Sequence, residues 1–162
     1  MMRQMPFQRL FHEQSNNHKS HLGHKMPLNL TPLSKAAISL NEAVTNACDD
    51  DFINSLTKSQ KNLITAGVIQ NFEFTYELSW KFIKRWLSAN IGNTHVEGVT
   101  RRELFRLAAS SKLIDDVKTW MYYHQARNQT YDEATAKEAF NVSITFSLEA
   151  KKLLTVLEAK ND

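Results

Sequence analysis

The chain has 162 residues, of which 42% are hydrophobic and 23% charged, so it is long enough for one globular domain without disulfides or metal. Four Gly and three Pro are too few for the many turns of a β-sandwich, and the single cysteine, Cys48, excludes an internal disulfide and a Cys-based zinc site. The formal charge of +3 lies entirely in residues 1–25, so the balanced remainder gives no electrostatic case for nucleic-acid binding.

The composition divides the chain into a flexible, basic N-terminal tail at 1–27 and a single helical-bundle domain at 28–160. Four of the six histidines lie in the tail, namely His12, His18, His21 and His24. A polar tail without helical periodicity offers no rigid geometry for a metal, so we expect no metal site there. No apolar run approaches the roughly 18 residues of a membrane span, and the first 25 residues contain no apolar signal core. We therefore expect no membrane segment and a cytoplasmic location.

The first predicted helix begins with Thr31 as N-cap and Pro32 in the first helical position, a preferred helix start. It ends near the acidic run 49–51, which is typical of a short loop or of the next N-cap. Cys48 is interpreted as a small apolar residue of this helix.

The second predicted helix is the longest and runs from Thr57 to Asn90. Its apolar residues recur every three or four positions and predict a buried stripe: Ile69, Phe72, Tyr76, Trp80, Ile83 and Leu87. We expect Trp80 in the middle of this stripe to lie in the core. Phe74, Leu78 and Phe82 form a second apolar flank, which predicts a two-fold homodimer.

Three further helices follow. The segment 100–103 fits a capping box that opens a short helix, and Asp115 is the expected cap of the next one. The segment 130–133 fits a second capping box, and it opens a last helix whose apolar stripe includes Leu148. No segment shows the alternating apolar and polar pattern of a β-strand. The sequence thus predicts an all-α, up-and-down four-helix bundle with one short extra helix.

Conventional motifs for phosphate loops, dinucleotide binding, metalloproteases and serine hydrolases are absent from the sequence. Glu73 and Glu77 are spaced i,i+4 on the long helix. This pair is compatible with a metal site or a general base, but no His lies at the matching spacing. The pattern therefore favours a solvated or Arg-paired face.

The densest polar segment is YYHQARNQTYDE at 122–133. His124 and Arg127 share a helical face, and Asn128 ends that helix near Tyr131. Such residues bind phosphate when an Arg fork meets the free backbone donors of a helix N-terminus. The alternative is structural, with Arg127 and Asn128 as helix caps and Tyr131 covering the core edge, and the residues alone favour it.

Three segments together resemble one family: IQNFEFTYELSWKFIKRWL at 69–87, RRELFRLAASSKLIDD at 101–116 and ARNQTYDEATAKE at 126–138. In order and spacing, over about residues 28–158, they resemble the nucleotidyltransferase substrate-binding protein family, a branch of the HEPN superfamily. The resemblance implies a helical bundle that self-associates and works with a separately encoded minimal nucleotidyltransferase, often as a toxin–antitoxin pair. It implies no cofactor beyond a possible nucleotide ligand.

In many HEPN proteins an Arg and a His of one motif cleave RNA without metal, and a following Tyr is adenylylated by the partner. By this resemblance Arg127 and Asn128 match the start of the motif and Tyr131 matches its Tyr. The stretch between them is shortened, and the motif His is missing. The only nearby imidazole, His124, lies upstream.

Three functional hypotheses follow. The first is a non-catalytic partner subunit that binds a nucleotide or a nucleotidyltransferase through His124, Arg127, Asn128 and Tyr131, with Tyr131 as the modified residue. The second is a metal-independent ribonuclease toxin that acts on RNA through Arg127, Asn128 and His124. The third is a helical interaction domain without a nucleotide role. Because RNase chemistry needs a proton donor or acceptor near neutral pKa, the missing His favours the first.

Overall fold

The structure is a computed structural model that describes residues 27–129 and 132–161. These residues form seven helices and no strand: α1 (Thr31–Ala47), α2 (Asp50–Asn54), α3 (Lys58–Ile91), α4 (Asn93–Val96), α5 (Arg101–Ser110), α6 (Val117–Asn128) and α7 (Ala136–Ala159). The predicted all-α fold class is confirmed, with two more short helices than expected. None of these helices is both long and apolar enough to cross a membrane. The tail histidines lie outside the described residues.

The long helix α3 has 34 residues and begins and ends close to where the sequence predicts. Thr57 and Gln60 form a reciprocal capping box: the Gln60 amide donates to Oγ1 of Thr57 at 3.2 Å, and the Thr57 amide donates to Oε1 of Gln60 at 2.9 Å. The helix stops at Gly92, whose φ of +99° is accessible to glycine at little cost. At about 1.5 Å per residue, α3 is about 50 Å long and supports the whole bundle.

The core lies where α3 packs against α1, α6 and α7. At its centre the rings of five aromatic residues contact one another at centroid distances of 4.9–6.5 Å: Phe72, Tyr76, Trp120, Tyr123 and Phe146. Burying one such side chain stabilises a fold by about 1.5–3 kcal/mol relative to leaving it exposed. This aromatic cluster therefore fixes how α6 is placed on α3.

Buried hydroxyls let the helices approach each other closely. Thr75 and Ser79 on α3 are fully buried. Oγ1 of Thr75 donates to the Ala36 carbonyl of α1 at 3.3 Å, and Oγ of Ser79 donates to the Thr75 carbonyl at 2.7 Å. Both hydroxyls are thus satisfied, which avoids the cost of burying an unpaired polar group.

Two predicted helix starts are shifted by one residue. The N-cap of α1 is Leu30, which makes no side-chain cap bond, so Thr31 is already helical. The N-cap of α6 is Asp116, whose Oδ1 accepts from the Thr119 amide at 2.7 Å. Asp115 instead forms an ion pair with Lys152 at 3.0 Å. At α6 the ion pair with Lys152 engages Asp115, and Asp116 caps the helix.

The predicted start of the last helix is wrong. Helix α7 begins at Ala136 and not within 130–133. Asp132 and Thr135 form a turn instead, because Oδ1 of Asp132 accepts from the Thr135 amide at 2.9 Å and from its hydroxyl at 2.8 Å. A short Asp/Thr hydrogen-bonded turn competes locally with helix formation.

Several side chains of the predicted apolar faces are not buried, and Ile69 of the predicted stripe is only partly buried. Trp80 is only half-buried, because it lies at the border of the apolar face of α3. Leu148 on α7 is 60% exposed. Cys48 is an exposed C-cap residue of α1. The large tryptophan of the core is Trp120, which is 1% exposed.

Candidate functional site

Three of the four predicted site residues lie together on the last turns of α6. His124, Arg127 and Asn128 are spaced i, i+3 and i+4, so they share one helical face. That face is turned towards α3, as the contacts below show. Tyr131 lies outside the described residues.

His124 is held at both ring nitrogens. Nδ1 lies 2.8 Å from the phenol oxygen of Tyr76 on α3, and Nε2 lies 3.3 Å from Nδ2 of Asn128. Both ring nitrogens therefore have a polar neighbour, and in the neutral ring one of them donates and the other accepts. Burial lowers the pKa of His124, the positive charge of Arg101 lowers it further, and Glu77 opposes the shift. The imidazole is therefore neutral and fully engaged at pH 7.

Arg127 is paired with the two carboxylates of α3. NH1 lies 3.5 Å from Oε2 of Glu73, and Nε lies 3.6 Å from Oε1 of Glu77, with all three side chains 32–36% exposed. The Nε–Oε1 distance is an ion-pair distance, and Nε has no hydrogen-bond partner in the described part of the chain. The prediction of an Arg-paired face for Glu73 and Glu77 is confirmed.

A second arginine joins the same cluster from α5. The guanidinium of Arg101 stacks on the indole of Trp80, 3.3 Å from the ring centroid, a cation–π geometry. Nε1 of Trp80 donates to Oε2 of Glu77 at 3.1 Å. Glu77 thus contacts both Arg127 and Trp80, the residue on which Arg101 stacks. The two guanidinium groups balance the charges of the Glu73 and Glu77 carboxylates.

The buried centre of this cluster is Tyr76, which is 0% exposed. Burial raises the pKa of its phenol well above the ordinary value, Glu77 raises it too, and Arg101 and Arg127 oppose the shift. The phenol therefore keeps its proton at neutral pH. Its hydrogen bond to His124 is a contact between two neutral groups.

Comparison with known proteins places the chain in a family. A family model described as "nucleotidyltransferase substrate binding protein like" matches residues 28–159. The chain belongs to this family. A relative from Haemophilus influenzae named "Probable ribonuclease HepT" is 33% identical over 138 residues, which cover 83% of this chain and 94% of the relative. A solved Haemophilus influenzae structure, described as revealing the fold of a substrate binding domain of a nucleotidyltransferase, superposes with a TM-score of 0.75 at 31% identity and covers 80% of this chain and 99% of that one.

Within this family fold, the end of α6 is not followed at once by the next helix. The sequence predicted that backbone donors of the last helix would lie just after Arg127, but α7 begins only at Ala136. Glu133, between them, forms an exposed ion pair with Lys58 at 3.5 Å. The prediction that backbone donors of the α7 N-terminus contribute to an anion site beside Arg127 is therefore wrong. The charged donors of this site are the guanidinium groups of Arg127 and Arg101.

Sequence reasoning missed three members of the site. Tyr76 and Trp80 were assigned to an apolar stripe, although both carry a polar atom that reaches the site. Arg101 was regarded only as part of a capping segment. The available signal was the spacing of Tyr76 and Trp80 with Glu73 and Glu77, which places all four on adjoining faces of α3.

Proposed function

We propose that this protein is a non-catalytic partner subunit that binds a separately encoded minimal nucleotidyltransferase, together with a nucleotide, in the cytoplasm. The pair would act as a toxin–antitoxin-like system. The observation that carries the proposal is that both ring nitrogens of His124 are engaged by Tyr76 and Asn128. The family match and the similar solved structure support the nucleotidyltransferase connection.

The engagement of His124 argues against proton transfer. A general base needs a free nitrogen lone pair within hydrogen-bond reach of the proton that it removes, and a general acid needs a protonated ring. Nε2 is occupied by Asn128, and burial disfavours the protonated form. This arrangement supports a binding role over a catalytic role for the region around the imidazole.

Arg127 is able to bind a phosphate, because its ion pairs with Glu73 and Glu77 are weak enough to be exchanged. Its ion pairs with Glu73 and Glu77 are partly exposed, and such pairs contribute no more than about 1 kcal/mol. Nε of Arg127 and Nε of Arg101 have no hydrogen-bond partner in the described residues. A phosphate oxygen could replace the Glu73 and Glu77 carboxylates as the charge-assisted acceptor of the Arg127 guanidinium. Asn128 at the end of α6 supplies an amide beside it.

Tyr131 is the residue that we propose the partner adenylylates. It takes the Tyr position of the shortened motif, next to the Asp132–Thr135 turn. Incubation with the nucleotidyltransferase and ATP, followed by peptide mass mapping, is expected to place one nucleotide on Tyr131 and none on the Tyr131→Phe protein. Label on another residue, or none, refutes this assignment.

We further propose that the subunit is a homodimer. The aromatic ring of Phe74 is 59% exposed on α3, beside the half-buried Leu78. In this proposal the exposed ring of Phe74 lies in the surface that a second copy covers across a two-fold axis.

A ribonuclease is the second candidate, and one specific observation favours it. His124 lies one helical turn before Arg127 and Asn128, so an imidazole and a guanidinium do occupy one face of α6. The relative named "Probable ribonuclease HepT" is consistent with this candidate. The reaction would require Asn128 to release Nε2 of His124.

RNA cleavage in the presence of EDTA separates the two candidates. We expect the purified protein to cleave a labelled RNA no faster than its His124→Ala variant. The His95→Ala variant is the matched control, because His95 is exposed on α4, away from α6. Cleavage that persists in EDTA and in His95→Ala but is lost in His124→Ala establishes the ribonuclease.

A further inference from the structure

An apolar groove with a volume of about 620 Å³ lies where the end of α1, the short helix α2, the first turns of α3 and the start of α7 meet. No residue of the cluster around Tyr76 and His124 lines it. All of its larger apolar wall residues are partly exposed, so the groove is open at the surface. These wall residues are Ala47, Ile53, Ile64, Ile69, Ala136 and Phe140.

The border of this groove is acidic. The ionisable residues of its lining are Lys61, Asp132, Glu133 and Lys137. Helix α2, which contributes Ile53 to the wall, starts with the carboxylates of residues 49–51. Carboxylates therefore outnumber lysines around the groove, even with Lys58 included, which pairs with Glu133 at 3.5 Å. A segment that fits this groove combines apolar side chains with positive charge.

The start of the N-terminal tail has both properties. Within this mostly polar tail, residues 5–11 read MPFQRLF, and Phe7, Leu10 and Phe11 are spaced i, i+3 and i+4. This is the spacing of the anchors of a helical turn that binds in an apolar groove. Arg3 and Arg9 accompany these anchors, and the tail carries the whole excess positive charge of the chain. A single turn is too short to be a stable helix alone in water, so it requires a surface to pack on.

The tail is long enough to reach the groove. The chain enters the bundle beside the end of α7, because the Leu28 amide donates to Oδ1 of Asn161 at 2.8 Å and Nδ2 of Asn161 donates to the Leu28 carbonyl at 2.9 Å. The groove lies at the opposite ends of α1 and α7, about 25–36 Å away at about 1.5 Å per helical residue. Residues 12–26 span up to about 50 Å when they are extended, so residues 7–11 come within reach of it.

We propose that residues 7–11 of the N-terminal tail dock in this groove of their own chain. Phe7, Leu10 and Phe11 pack on the apolar wall, and Arg9 lies towards the acidic border. The groove is then an internal binding site for the tail, and its occupation covers the partly exposed side chains of α2, α3 and α7.

The test is paramagnetic broadening by a nitroxide label on Cys48 of the full chain. Cys48 is the one cysteine of the sequence, is exposed, and follows Ala47 of the groove wall. We expect the backbone amide signals of residues 7–11 to lose intensity relative to the protein with reduced label. Ala66→Arg is expected to restore this intensity, because Ala66 is an exposed lining residue and the new side chain fills the groove and repels Arg9. Ala89→Arg, the same change at an exposed position near the other end of α3, is the matched control and is expected to have no effect.

A second pair of variants tests the anchors themselves. Phe11→Ser is expected to restore the intensity of residues 7–11, whereas Gln8→Ser, which lies off the anchor face, is expected to leave the broadening in place. Full intensity in the labelled protein, or a loss that Ala66→Arg and Phe11→Ser leave unchanged, overturns the proposal.

Mixing two preparations tests which chain supplies the tail. One is isotope-labelled Cys48→Ser protein, and the other carries the nitroxide but no isotope. Docking within one chain predicts no broadening of residues 7–11 in this mixture. Broadening there means that the tail of a second copy occupies the groove, which contradicts the proposal.

Discussion

The phenol oxygen of Tyr76 lies 2.8 Å from Nδ1 of His124, and this hydrogen bond joins the middle of α3 to the last turns of α6 across 48 residues of sequence. Through this bond the imidazole near Arg127 has a structural role, because it holds α6 against α3. Because Tyr76 is fully buried, the bond is shielded from competing water on its α3 side.

Tyr76→Phe is expected to lower the free energy of unfolding by about 1–2 kcal/mol, because Nδ1 of His124 loses its partner. Tyr122→Phe is the matched control, since Tyr122 lies on the same helix as His124 and is 48% exposed. Its effect is expected to stay within about 0.5 kcal/mol. Urea denaturation of the three proteins measures both values, and equal stabilities for the two variants contradict a structural Tyr76–His124 bond.

Stability is expected to fall as the pH is lowered through the range just below 6.5. The pKa of His124 is lowered from 6.5 in the folded protein, first by burial and then by Arg101. The unfolded chain therefore takes up the proton first as the pH falls, and unfolding is favoured. Above pH 6.5 both states are neutral at this residue, and its contribution no longer changes with pH.

Denaturation at pH 7.5 and 5.5 checks this expectation. His124→Gln is expected to lose less stability between the two values than the unmodified protein, whereas the exposed His95→Gln is expected to behave like the unmodified protein. A pH dependence that is the same in His124→Gln and in the unmodified protein is inconsistent with a lowered pKa of the partly buried His124.

Two of the three tryptophans, Trp120 and Trp80, are expected to differ in their contribution to stability. Trp120→Ala is expected to cost roughly 3–5 kcal/mol, the range for a large core side chain. Trp80→Ala is expected to cost less than about 2 kcal/mol, because Trp80 is half-buried and one of its faces contacts Arg101. Chemical denaturation gives both numbers, and a larger loss for Trp80 means that the buried stripe of α3 includes it.

Self-association is expected to depend on Phe74. Sedimentation at micromolar concentration is expected to give a dimer for the unmodified protein and a monomer for Phe74→Lys. Leu63→Lys is the control, since Leu63 is 69% exposed near the start of the same helix. A stable monomer of the unmodified protein contradicts the homodimer.

Much of the fold was predictable because its signals are local. The capping box at Thr57 and the glycine at position 92 fix α3 to within one residue at each end. The i,i+4 spacing of Glu73 and Glu77 indicated an Arg-paired face, and the structure places Arg127 there. The two helix-end signals lie within a few residues of the boundaries that they predict, whereas the arginine that pairs with Glu73 and Glu77 comes from a distant segment.

The errors arise where tertiary contacts or short turns outweigh the local pattern. A period of 3.6 residues identifies the apolar face of a helix but not its border, so Trp80 was placed in the core. The segment around Asp132 has the residues of a capping box, yet its hydrogen bonds close a turn with Thr135. The Tyr76–His124 bond joins distant segments, and no pattern in a single sequence predicts it.

The central claim is tested most directly by the binding of a minimal nucleotidyltransferase from the same genome. Titration calorimetry is expected to show a saturable complex, weakened at least about tenfold by Arg127→Ala, because the guanidinium is the charged donor at the end of α6. Arg106→Ala, which removes an exposed arginine of α5 that pairs with Glu103, is expected to leave the affinity unchanged. The absence of any complex, or an affinity that is indifferent to Arg127→Ala, contradicts the proposal that this subunit engages its partner through the end of α6.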